Sequence, residues 1–62
     1  MDLKIFTEKT RELLKNNPEY SEEIEQLYYL ALSEIEDGSS EIHECNLAYN
    51  DMLDIINNIT ND

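Results

Sequence analysis

Apolar residues return every three or four positions along most of the chain, and three stripes can be traced between short polar interruptions. The first spans about residues 2–16 and places Leu3, Phe6, Thr10, Leu13 and Leu14 on one side. Asp2 stands where a helix start favours negative charge, and Lys15 where a helix end favours positive charge. Asn16-Asn17-Pro18 breaks the pattern, because proline cannot continue a helix but serves well as the first residue of another. Asn17 is then the expected cap of a second helix over about residues 18–37, with Glu19, Glu22 and Glu23 in its opening turns. Its stripe is Tyr20, Ile24, Leu27, Tyr28, Ala31 and Ile35. Gly38 is the only glycine in the chain and the residue that can take a positive φ at low cost, so the helix should end there. Ser39 or Ser40 caps a third helix over about residues 40–60, in which Ile42, Cys45, Tyr49, Met52, Ile56 and Ile59 keep an unbroken seam, with Leu53 beside them.

No alternating run of strand length and no hairpin dipeptide interrupts these stripes. The expected fold is all-α, a compact antiparallel three-helix bundle forming a single helical domain over residues 1–62. Two long helices joined by a short turn must run antiparallel, and the shorter first helix folds back across their groove. The alternative is a helical hairpin that dimerises into a four-helix bundle. Only the tail Asn57-Asn58-Ile59-Thr60-Asn61-Asp62 is biased in composition, and it is read as a fraying end.

A chain of 62 residues hides only a modest share of its surface, so its stability rests on well-formed helix packing. Cys45 is the only cysteine, which excludes an internal disulfide and fits a reducing compartment. The opening MDLKIFTEKT has no basic-then-apolar signal segment, so a cytoplasmic location is expected, and the sequon Asn58-Ile59-Thr60 is read as chance. No stretch approaches the length of a membrane span.

Charge changes the picture more. The formal net charge is −11, and Lys4, Lys9, Arg11 and Lys15 are the only basic residues apart from one histidine. Everything after residue 15 carries carboxylates and no Lys or Arg. Such a surface repels nucleic acid and anionic membrane and draws in basic proteins at rates that fall with salt. An apolar content of 40%, with one Gly and one Pro, argues against a disordered acidic chain.

The segment Ser33 to Glu44, SEIEDGSSEIHE, has glycine sixth and glutamate twelfth, as a calcium-binding EF-hand loop does. Its first, third and fifth places are Ser33, Ile35 and Asp37, where Asp or Asn should build the cage, and Ile35 and Ile42 belong to the two apolar stripes. A helix end, turn and helix start is the expected reading, with no metal. His43 and Cys45 lie two apart on a helix and point about 200° from each other, so they cannot share a ligand. Cys45 on the seam is expected to be buried and His43 to face outward. Gly38-Ser39-Ser40 ahead of an acidic helix suggests an acyl carrier, but the Asp-Ser-Leu sequence of that family is absent. Carboxylates are numerous and unselective, and neither a phosphate loop nor a nucleophilic triad is present. No enzymatic activity and no cofactor are expected.

The outward faces carry the remaining signal. Glu22, Glu25, Tyr29 and Glu36 lie within about 60° of one another on the second helix, opposite its core stripe. On the third, Glu44, Leu47, Asp51 and Asp54 repeat the arrangement around a leucine, and Asp37 and Glu41 crowd the turn between. Carboxylates at intervals along a rigid helix imitate the spaced charges of a nucleic acid, with Tyr29 and Leu47 as apolar anchors among them. These ten residues form the expected partner-binding surface. The expected function is a small acidic inhibitor or regulator that covers the basic nucleic-acid-binding surface of a target protein, as phage anti-restriction and anti-CRISPR proteins do as a class. The expected partner is thus a basic, nucleic-acid-handling protein rather than nucleic acid or membrane. A self-associating adaptor bundle, a homodimer through Tyr29, Leu30, Leu47 or Ile55, is the alternative.

Overall fold

In the computed structural model, which describes residues 1–57, the Asp2 carboxylate accepts a hydrogen bond from the Ile5 amide at 2.9 Å and so starts helix α1, Leu3–Asn16. That bond satisfies one of the amides a helix leaves unpaired at its first turn. A second is satisfied from far along the chain, because the Leu3 amide donates to Oε2 of Glu41 at 2.8 Å.

At the other end of α1 the expectation for Asn17 is corrected. Its backbone amide and its side-chain Nδ2 both donate to the Leu13 carbonyl, at 2.8 and 3.1 Å. Asn17 therefore closes the first helix instead of capping the second. With that side chain committed backwards, the chain tightens into a 3-10 turn, Pro18–Tyr20, and helix α2 runs Ser21–Glu36, three residues later than the proline suggests.

Gly38 ends α2 as expected, with φ at +108°. The Gly38 amide donates to Ile35 and the Ser39 amide to Glu34, each at 3.0 Å, which is the paired closure of a Schellman motif. Ser40 then starts helix α3, Glu41–Asn57: its carbonyl accepts from Glu44 at 2.9 Å and its Oγ from His43 at 3.3 Å. The expected continuation to residue 60, with Ile59, the sequon and the tail, lies outside the described residues.

The three helices form an all-α bundle about one core. Phe6 from α1, Ile24 from α2, and Cys45 and Met52 from α3 are fully buried, with Ala31 and Ala48 nearly so. Tyr20, Leu27, Tyr28, Ile35, Tyr49 and Ile56 pack around them half-buried. Burial of a large apolar side chain contributes about 1.5–3 kcal/mol, so this short roll of residues supplies most of what holds the helices together. Phe6 stacks on Tyr28 at 5.2 Å between ring centroids, and the hydroxyls of Thr7 and Tyr28 share a hydrogen bond of 2.9 Å. Thr10 is buried with its hydroxyl 3.9 Å from the Met52 sulfur. Lys9 places its ammonium 5.5 Å from the centre of the Tyr49 ring, which ties α1 to α3.

Ile42 departs from the expected seam: it is 62% exposed. The buried face of α3 extends to Ala48, about 60° to one side of Cys45, whereas Ile42 lies about 60° to the other side, in the first turn of the helix. Ile35 does pack against the core, so the Ser33–Glu44 segment is two helix ends joined by a turn.

Candidate functional site

The antiparallel pair α2 and α3 has two long faces. On one of them α1 is seated. The other bears a shallow groove of about 240 Å³ that no residue of α1 lines. From α2 it takes Leu27, Leu30, Ala31 and Glu34, and from α3 Glu44, Leu47, Ala48 and Asp51. Each set has the i, i+3, i+4, i+7 spacing of one helix face, so each helix presents a continuous strip to the groove.

The groove's chemistry follows from those strips. Ala31 and Ala48 are buried and make a low floor. Leu30 and Leu47 stand over it 57% and 49% exposed, an unusual position for two leucines on neighbouring helices. Glu34 and Glu44 sit toward the turn and Asp51 farther along α3, so the apolar strip is edged by three carboxylates. All four Lys and Arg residues lie on α1, and none of them lines this groove.

Of the residues expected at the binding surface, Glu44, Leu47 and Asp51 are brought together here. Glu25 and Tyr29 line a different hollow, of about 360 Å³ between α1 and α2, beside Thr7, Arg11 and Tyr28. Tyr29 is 62% exposed, and its ring rests edge-on against Tyr28 at 5.3 Å, which restrains it. Tyr29 and Leu47 thus belong to separate hollows. Glu22, Glu36 and Asp54 are exposed on their helices, and Asp37 is exposed as the C-cap of α2. Glu41 is exposed but holds the Leu3 amide, so it has a structural duty at the start of α1.

Five groove residues lie outside the expected surface: Leu27, Ala31 and Ala48, which form its apolar base, and Leu30 and Glu34, of which the sequence suggests Leu30 as a dimer contact and Glu34 as one of the carboxylates near the turn. The matching Leu-Ala pairs, Leu30-Ala31 and Leu47-Ala48, each followed three residues later by an acid, are the signal that marks Leu30 and Glu34. The opposite strips become adjacent only once the rotation of α2 against α3 is known.

Cys45 is fully buried and His43 is exposed, as their positions on the helix require. Burial, and next the negative charge of Glu41, push the Cys45 thiol up from its ordinary value and keep it protonated and unreactive. Among the described residues no group of three or more His, Cys, Asp or Glu side chains is gathered in a way that could hold a metal ion. No described helix is long and apolar enough to cross a membrane. No protein-family model, curated protein or solved structure matches the chain.

Proposed function

We propose that this protein is a small non-enzymatic regulator that binds a basic, nucleic-acid-handling protein through the acidic surface of α2 and α3 and blocks its access to nucleic acid. The observation that carries this reading is the segregation of charge. Every Lys and Arg is on α1, while α2, the turn and α3 present carboxylates alone, some of them set around exposed leucines. Carboxylates at helical intervals compete with phosphates for Lys and Arg, and apolar anchors among them add affinity that a phosphate backbone lacks. Small acidic proteins that act in this way are common among phage counter-defence factors of the anti-restriction and anti-CRISPR kind, an analogy of class, and the mode of action requires neither metal nor catalytic group.

The experiment is a displacement assay. Proteins that co-purify with the chain at low salt are identified, and each is loaded with labelled nucleic acid and titrated with the purified chain. Displacement that weakens as salt rises is the expected result. Retention of nucleic acid at saturating concentrations of the chain overturns the reading.

A further inference from the structure

We infer that the groove between α2 and α3 docks a single amphipathic helix of a partner protein, its apolar residues seated between Leu30 and Leu47 and its Lys or Arg residues on both flanks. This deepens the proposed function by naming the element of the basic partner that is engaged, and it rests on that reading.

Three features of the molecule lead to this occupant. First, the groove has the shape a helix fills. Its strips extend over residues 27–34 and 44–51, about 10 Å or two helical turns, which matches the spacing of anchors at i, i+3, i+4 and i+7 on an incoming helix. Second, the chain already shows what the opposite side of the same hairpin accepts. Helix α1 is a 14-residue amphipathic helix that buries Phe6 and Thr10 and carries Lys4, Lys9, Arg11 and Lys15. A partner helix in the free groove completes a four-helix arrangement by the same packing rules. Third, charge selects among occupants. Glu34, Glu44 and Asp51 edge the groove, so a second copy docked face to face would set its own three carboxylates against these, whereas basic flanks meet opposite charge at both edges.

The test uses the full chain and a fluorescein-labelled synthetic peptide with leucines at i, i+3, i+4 and i+7 and lysines on both flanks, followed by anisotropy. Two groove variants are compared, Leu30→Gln with Leu47→Gln, and Glu34→Lys with Glu44→Lys and Asp51→Lys. A control of equal charge change carries Glu22→Lys, Glu25→Lys and Glu36→Lys. Each groove variant should weaken binding about tenfold or more, a large share of which the exposed leucines supply, while the control shifts it about threefold or less. Helical circular dichroism qualifies each variant, and if one fails to fold the other still decides. Equal weakening by the groove and control charge sets would overturn the inference while leaving a diffuse acidic binding surface, and so the proposed function, standing. Absence of peptide binding by the unaltered chain overturns the inference, as does a dimer in analytical ultracentrifugation that the two leucine changes dissociate. Failure of the proposed function is read separately, in the displacement assay.

Discussion

Glu41 combines two demands on one carboxylate. It opens α3 at the acidic turn, and it accepts the Leu3 amide at 2.8 Å, a bond between residues 38 positions apart. Glu41→Ala leaves that helix-start amide without an acceptor and should cost about 1 kcal/mol, whereas Glu41→Gln keeps an oxygen in place and should recover most of the loss. Urea midpoints of the two variants measure the difference. Cys45 makes a prediction in pH. Its thiol is raised in the folded protein, so its contribution is fully present below the unfolded value of about 8.5 and is lost as pH rises through the folded value. The sign is set by the native state holding a proton that the unfolded chain has released. The urea midpoint should therefore fall as pH rises above about 8.5, and this part of the fall should be missing in Cys45→Ala. The burial of Cys45 was legible from its place on the seam, because neighbours three and four residues away share its face. The bond from Glu41 was not legible, since nothing in either local sequence points to the other.

At the scale of the elements, the turn between α2 and α3 is held by backbone conformation. Gly38 takes φ of +108°, and a Cβ built on it would meet no atom within 4 Å, so replacement is opposed by the backbone alone. Gly38→Ala should cost about 1–2 kcal/mol, seen as a lower thermal midpoint with unchanged helicity in the native baseline. A larger loss, or loss of helicity at low temperature, would mean that the turn also depends on contacts the glycine makes. The periodicity of the three stripes and this glycine were enough to place the helices, because each is a property of neighbours in sequence. Asn17 was read in the wrong direction, since a side chain between two helices can cap either one and the choice depends on which amide or carbonyl is left open. Ile42 was misplaced for a related reason. A helical wheel gives relative angles, and the buried face of α3 extends to Ala48, whose small side chain gives little hydrophobic signal.

The whole molecule is a dipole of charge on a body of 37 × 21 × 18 Å, with net charge −11 and all its Lys and Arg on one helix. Carboxylates confined to so small a body repel one another, and screening at moderate salt reduces that cost. The thermal midpoint should rise between 20 and 300 mM sodium chloride by roughly 4–8 °C, the shift that about 1 kcal/mol produces in a domain of this size. A midpoint that falls with salt would show that attraction between α1 and the acidic hairpin outweighs the repulsion. One wall of the candidate groove could be read in part from the sequence, because Glu44, Leu47 and Asp51 share one face of one helix. Its other wall could not, because the pairing of Leu30 with Leu47, and the separation of both from Tyr29, depend on how α2 and α3 are rotated against each other. The docking groove proposed for this acidic hairpin is tested by a map of amide chemical shifts in the isotope-labelled chain as the lysine-flanked helical peptide is added. Perturbations concentrated on Leu27 to Glu34 and Glu44 to Asp51 are the predicted result; shifts spread evenly over Glu22, Glu25, Glu36, Asp54 and the other carboxylates would contradict it.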